Sequence, residues 1–258
     1  MKRNFILTVC FLLSLCVNAQ DKMGEFEKKV YVSEAGDTLR YRLLLPENYD
    51  ENKCYPLVLF LHGAGERGCD NEKQLFHGGQ MWLNPVNREN YPAFVLAPQC
   101  PDSCYWAYGT RPVSFVPEEM PLSTDDVQII KLLKGLLDSY LSLPQVDKKK
   151  VYVMGLSMGG MATFDLVSRY PDVFAAAIPI CGIVNPSRLA VAKKVKFRIF
   201  HGDADNVVPV IGSRAAYKAL KKAGAKVEYI EFPGCGHASW HPAFSYPDFM
   251  KWLFSQKK

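Results

Sequence analysis

Val151-Tyr152-Val153-Met154-Gly155-Leu156-Ser157-Met158-Gly159-Gly160 is the stretch whose reading decides the fold of this chain. Four residues of strand-forming chemistry run into a G-x-S-x-G pentapeptide, and small and apolar residues at helical spacing follow. A serine in that setting sits on a nucleophile elbow, a sharp strand-to-helix turn in strained backbone geometry. Two residues to either side of the serine there is no room for a side chain, hence Gly155 and Gly159. The turn pushes the Ser157 hydroxyl out at the sheet edge. It also sets the Met158 backbone N–H, at the positive end of the coming helix, where an oxyanion would develop.

Outward from the elbow, short apolar runs alternate with helical patterns. Upstream, residues 28–33 and 38–45 alternate apolar and polar residues around Glu34-Ala35-Gly36-Asp37, which predicts a hairpin ended by Pro46. Residues 57–61 and 93–97 are continuous apolar runs, the mark of strands buried on both faces. Between them, 71–83 has room for a short irregular helix, and 98–122, rich in Pro and aromatics, reads as a long ordered loop. Ser123 or Thr124 caps a helix whose apolar face is Val127, Ile130, Leu133, Leu137 and Leu141. The strand at 148–154 enters the elbow and the helix 160–169 leaves it. Downstream come strands at 175–180, 197–200 and 226–232, a small helix within 187–194, a helix at 211–223, and a closing helix near 246–254. Strands alternating with helices predict one α/β domain: a mostly parallel sheet of about eight strands, helices on both faces and only a minimal lid. Ligands of such a sheet sit at the carboxyl ends of its strands.

A serine hydroxyl is a poor nucleophile at neutral pH. It needs a general base within hydrogen-bond reach, and the base needs an anion to fix its tautomer. In a sheet of this type the order along the chain is Ser, then Asp or Glu, then His, each just after a strand. Ser157, Asp205 and His237 satisfy that order. Asp203 competes with Asp205, but Asp205 lies further from the strand end, where its loop can reach a histidine, and Asp203 reads as a turn-stabilising carboxylate. His237 follows the pliant Gly234-Cys235-Gly236 loop and is preferred to His241, which precedes Pro242. His62 and His201, at strand ends beside glycine, read as structural histidines. His77 receives no role. A second oxyanion donor is expected from His62-Gly63-Ala64-Gly65, with the Ala64 N–H first and Gly65 behind it.

A chain of 258 residues with 48% hydrophobic content can bury one large core. Its net charge of +5 is mild and scattered, so nothing in the composition calls for nucleic acid as a partner. Lys2-Arg3, the apolar run 5–17 and Val17-Asn18-Ala19 form the pattern of a secretory signal cleaved after Ala19, leaving 20–258 as the catalytic domain. The apolar run is short for a bilayer span, and Leu15 is bulky where acylation at Cys16 would want a small residue. The expected compartment is therefore periplasmic or extracellular, without stable membrane insertion. Outside the leader remain Cys54, Cys69, Cys100, Cys104, Cys181 and Cys235, an even number that permits several disulfide pairings. Cys181, at the end of an apolar strand, also reads as a buried thiol. No cysteine or histidine cluster has zinc-ligand spacing, and the expected chemistry needs no metal or organic cofactor.

Taken together, these residues resemble the α/β-hydrolase superfamily. Within it, His62-Gly-Ala-Gly-Glu-Arg-Gly68, Ala97-Pro-Gln-Cys100, Gly155-Leu-Ser-Met-Gly-Gly160, Ile178-Pro-Ile-Cys-Gly182, the segment from His201 to Pro209 and Gly236-His237-x-Ser-Trp240 are similar to secreted bacterial esterases related to feruloyl and acetylxylan esterases and polyhydroxybutyrate depolymerases. The resemblance implies Ser157, Asp205 and His237 as the triad, and Ala64 with Met158 at the oxyanion hole. It implies a serine esterase acting on small or polysaccharide-linked esters, feruloyl or acetyl, by two-step acyl transfer. Cys104 departs from the pattern in a loop that varies among relatives and bears on the acyl pocket. Trp106 and Trp240 are expected to flank the acyl or sugar group. Two other functions stay in view: a peptidase similar to the prolyl-oligopeptidase catalytic domain, for whose propeller this length leaves no room, and a non-catalytic binding module on the same scaffold.

Overall fold

The computed structural model describes residues 23–122 and 127–258. The expected signal segment 1–19 and the helix cap expected at Ser123 or Thr124 lie outside the described residues. The described chain forms one eight-stranded sheet: β1 (Glu27–Val32), β2 (Thr38–Leu44), β3 (Tyr55–Leu61), β4 (Phe94–Pro98), β5 (Val146–Leu156), β6 (Ala176–Ile180), β7 (Lys196–Gly202) and β8 (Val227–Phe232). Their spatial order is β1-β2-β4-β3-β5-β6-β7-β8. The β1–β2 and β2–β4 pairs are antiparallel, and every pair from β4 to β8 is parallel. No helix among the described residues is long and apolar enough to cross a membrane.

The central strands explain both layers. Leu57, Leu59 and Leu61 enter one core while Val58 and Phe60 enter the other, because successive side chains of a strand point to opposite faces. Val151 and Val153 against Tyr152, Met154 and Leu156 repeat the division on β5. Each such fully buried side chain contributes about 1.5–3 kcal/mol of transfer free energy.

Short helices α1 (Gly79–Leu83) and α2 (Pro85–Asn90) precede β4. Long α3 (Gln128–Leu141), α4 (Met158–Arg169) and α5 (Ile211–Lys222) cover the first face through residues such as Leu133, Phe164 and Leu220. On the second face lie Trp82 of α1, Ala243 of α6 (Trp240–Phe244) and Leu253 of α7 (Phe249–Ser255).

Three local departures have physical causes. The closing helix expected near 246–254 starts only at Phe249, past Pro247, which cannot donate within a helix, and the separate short α6 precedes it. Helix α2, not anticipated, starts at the Asn84-Pro85 step: Asn84 accepts from the Val86 N–H at 3.0 Å and Pro85 sits at the first helical position. The helix expected in 187–194 is a 3-10 stretch, Pro186–Ala192. The six cysteines among the described residues are free thiols, and Cys181 is one of the two that are buried.

Candidate active site

At the end of β5 the chain reverses into α4 through Ser157, which holds φ 53° and ψ −116°. A non-glycine residue there stores about 1–3 kcal/mol of backbone strain. The surroundings fix it in place. The Ser157 N–H donates to the Ile180 carbonyl at 2.9 Å, and the Ser157 carbonyl accepts from Met161 N–H at 3.0 Å. A Cβ on Gly159 would come 2.0 Å from the Leu61 carbonyl oxygen, and one on Gly155 2.5 Å from that of Gly159. Both glycines are therefore demanded by backbone crossing backbone. Met158 is the first residue of α4, so its N–H has no partner within the helix and is available for an anion.

The expected base, His237, and its expected anion, Asp205, arrive from the ends of β8 and β7. His237 Nε2 lies 2.9 Å from Ser157 Oγ, and His237 Nδ1 lies 2.7 Å from Asp205 Oδ2. A carboxylate can only accept, so the ring proton is on Nδ1 and Nε2 is left to accept from the serine hydroxyl. Asp205 is itself pinned: Oδ1 accepts from the Val207 and Val208 N–H groups, both at 2.9 Å. Its Oδ2 accepts in addition from His201 Nε2 at 3.1 Å. His201 Nε2 also donates to the Val208 carbonyl at 2.9 Å, and its Nδ1 takes the Ser213 hydroxyl proton at 2.7 Å. Burial alone would raise the Asp205 pKa, but the bonds from His201, His237, Val208 and Val207 outweigh it and hold the carboxyl below the usual carboxylate range. Asp203 turns away and accepts from the Gly234 N–H at 2.6 Å, a turn-stabilising role.

Ala64 opens a one-turn 3-10 helix, Ala64–Glu66, directly after β3, and lies with Ser157 and His237 along one cleft of about 240 Å³. His62, just before it, is wholly structural: Nδ1 donates to the Gly63 carbonyl at 2.6 Å and Nε2 accepts from the Cys100 N–H at 2.9 Å. Burial pushes its pKa down to about 4. Cys181, Asp205 and His237 bring possible ligand atoms within 4.8 Å of one another. His237 Nδ1 carries the proton it gives to Asp205, its Nε2 is engaged by the Ser157 hydroxyl, and burial raises the Cys181 thiol, so the trio is arranged for hydrogen bonding rather than for a cation.

The outer wall of the cleft was mostly illegible. Trp240 lines it, as expected, with its ring edge-on to His237 at 5.4 Å between centroids. Trp106 does not. It is fully buried, donates from Nε1 to the His62 carbonyl at 3.2 Å and packs on the His62 ring, so it anchors the loop from within the core. The side chains that do face the cleft include His77, Glu66, Tyr105, Arg111 and Phe115. His77, left without a role on sequence grounds, packs 4.9 Å from the Trp240 ring, and its Nε2 lies 3.7 Å from Glu66 Oε1. Burial lowers the His77 pKa, helped by His241, and burial raises that of Glu66 against bonds from the Gly63 and Glu66 backbone. Only the Gly-Glu-Arg run after Ala64 could have signalled Glu66; the other positions carry no local pattern.

Comparison with known proteins agrees with this geometry. A family model described as phospholipase/carboxylesterase matches residues 49–246. Carboxylesterase SOBER1 of Arabidopsis thaliana is 27% identical over 199 residues, covering 70% of this chain and 82% of that protein. A solved thermostable esterase is 37% identical with a TM-score of 0.78, covering 92% of this chain; the chain spans 64% of that esterase's length. A ferulic acid esterase from Anaeromyces mucronatus, solved with ferulic acid, shares the fold at 17% identity and a TM-score of 0.59, covering 87% of this chain and 89% of its own.

Proposed function

The chain belongs to the phospholipase/carboxylesterase family of α/β-hydrolases and is a serine carboxylic-ester hydrolase, and from that premise we propose that it is exported and cleaves feruloyl or acetyl esters carried by plant polysaccharide. The observation that carries the catalytic assignment is the unbroken relay of Ser157 Oγ, His237 and Asp205, at 2.9 and 2.7 Å. In this reading His237 Nε2 takes the Ser157 proton as Oγ attacks the ester carbonyl. The Met158 and Ala64 N–H groups receive the developing oxyanion, each contributing roughly 3 kcal/mol to barrier reduction. Collapse expels the alcohol, protonated by His237, and leaves an acyl-enzyme. Water then attacks with His237 again as base, and the acid departs. Asp205, kept ionised, holds the imidazole in the right tautomer and stabilises its cationic form.

Support for an aromatic acyl group or a sugar comes from the Trp240, Tyr105 and Phe115 side chains along the cleft. Support for export comes from the basic, apolar and small-residue order of residues 2–19. The test is a substrate panel: methyl ferulate, acetylated xylan, short p-nitrophenyl esters, polyhydroxybutyrate and a proline-containing peptide amide. Methyl ferulate or acetylated xylan turned over in preference to the simple aryl esters is the expected result. Preference for the peptide would overturn the substrate assignment, and absence of fluorophosphonate labelling at Ser157 would overturn the nucleophile.

A further inference from the structure

The cleft holding Ser157 and His237 is also lined by Arg111, an exposed arginine with no acidic partner among the described residues. Its guanidinium lies 5.6 Å from the centroid of the Phe115 ring, which lines the same cleft. An arginine ending a random surface loop would be expected to roam, but this loop is clamped at both ends. Before Arg111, Tyr105 and Gly109 exchange backbone bonds of 2.8 and 2.9 Å. Arg67 Nη1 holds the Asp102 and Cys104 carbonyls at 3.2 and 3.1 Å, and the buried Trp106 indole is tied to the His62 carbonyl. After Arg111, Asn185 Nδ2 donates to the Glu118 and Met120 carbonyls at 3.0 and 2.9 Å. The loop thus carries the guanidinium and its aromatic partner to the cleft on a braced span.

Among the residues lining the cleft Arg111 is the only one with a fixed positive charge. The acidic side chain there, Glu66, is only 12% exposed and lies towards Gly63 behind the oxyanion loop. An anion entering from solvent therefore meets the guanidinium first. A planar fork of N–H donors pairs with a carboxylate in two parallel bonds, and a partly walled cleft screens that pair less than open water does.

We infer that Arg111 selects esters that carry a carboxylate close to the scissile bond, on either the acyl or the alcohol part. This rests on the ester-hydrolase reading and refines it. A hemiester of a dicarboxylic acid supplies the charge on the acyl side, and an esterified hydroxy acid, such as an acylated uronate, supplies it on the alcohol side.

Two matched pairs separate these sources, with turnover followed by proton release. Ethyl hydrogen adipate against ethyl hexanoate probes the acyl side, and acetoxyacetate against 2-hydroxyethyl acetate probes the alcohol side. The charged-to-neutral ratio of kcat/KM should fall about tenfold in Arg111→Gln for one pair, and less in Arg111→Lys, which keeps the charge but not the fork. In the unaltered protein the same ratio should fall as NaCl rises from about 0.02 to about 0.5 M. Ratios that stay fixed in both pairs, in Arg111→Gln and across the salt range, overturn the role of Arg111. Should Arg111→Gln turn over no ester, the salt series on the unaltered protein decides alone. Loss is assigned differently if the unaltered protein cleaves no ester of any kind, activated aryl esters included: that outcome sinks the hydrolase reading itself.

Discussion

The two sides of the cleft are built by different means. On the inner side Ser157, Asp205 and His237 each stand within five residues of the end of a parallel strand, and the polar atoms that orient them belong to neighbouring strand ends, turns and the first turn of α4. On the outer side His77, Arg111, Phe115 and Trp240 come from loops and a one-turn helix, braced by contacts between residues tens of positions apart. The inner side is rigid because backbone geometry dictates it. The outer side is shaped by side-chain packing, which can change without altering the chemistry. Catalysis should therefore be lost by changes on the inner side, and selectivity by changes on the outer side.

The largest effect tests that division directly. Ser157→Ala should lower kcat by about 10⁴- to 10⁶-fold while leaving the melting temperature nearly unchanged or raised, since alanine removes the nucleophile and only one part-buried hydrogen bond, to His237. Stopped-assay rates and a thermal melt are the two readouts, and a variant retaining most of its rate would contradict the assignment. Next comes Asp205→Asn. The amide can offer His237 Nδ1 a donor in place of an acceptor, which favours the wrong tautomer, so kcat should drop by about 10⁴-fold. A loss of under tenfold would mean that another group orients the imidazole.

That same division explains what could be read in advance. The elbow is legible because two glycines, a serine and the flanking strand and helix are consecutive. Asp205 over Asp203 is legible because a longer excursion from the strand end is needed to meet a histidine, and the structure gives the reason in the paired N–H groups of Val207 and Val208. The burial of β3, and of β5 from Val151 onward, on both faces follows from continuous apolar runs. Trp106 is not the cleft wall its sequence suggests, and His77 carries no local pattern, because nothing local distinguishes a side chain that anchors a loop from one that faces a ligand. Only the arrival of His62 beneath one and Trp240 beside the other decides it.

Trp106 therefore becomes a structural test. Its truncation to alanine should cost about 3–5 kcal/mol of unfolding free energy, because a large, fully buried ring leaves a cavity. Any effect on KM should come only through displacement of the loop it anchors. A denaturant midpoint unchanged by Trp106→Ala would return this residue to the cleft wall.

His62, beneath that ring, gives a pH signature. Its folded-state pKa of about 4 lies below the ordinary 6.5, so between those values the unfolded chain binds a proton that the folded chain refuses. Stability should accordingly fall as pH drops from about 6.5 to about 4, by up to about 1.4 kcal/mol per pH unit from this group. Asp205, whose pKa is lowered as well, contributes in a separate window. Its lowered pKa stabilises the fold above about pH 4 and is lost only under stronger acid. Urea midpoints of the unaltered protein and of His62→Gln, measured from pH 4 to 7, should differ in slope by up to one proton; parallel curves would mean that His62 titrates alike in the folded and unfolded chain.

The mildest change falls at Trp240, which touches the inner side through His237 and the outer side through His77. If the ring serves mainly to flank the substrate, Trp240→Leu should raise KM about tenfold, the free energy of one lost aromatic contact, and leave kcat within a few-fold. If it also holds the imidazole in place, kcat falls with it and the optimum of the pH–rate profile moves, because the base is then less firmly kept against Asp205. A pure KM effect keeps the two sides of the cleft independent. A coupled loss shows that the indole carries the outer wall's packing into the catalytic relay, and that the boundary between chemistry and selectivity runs through this one ring.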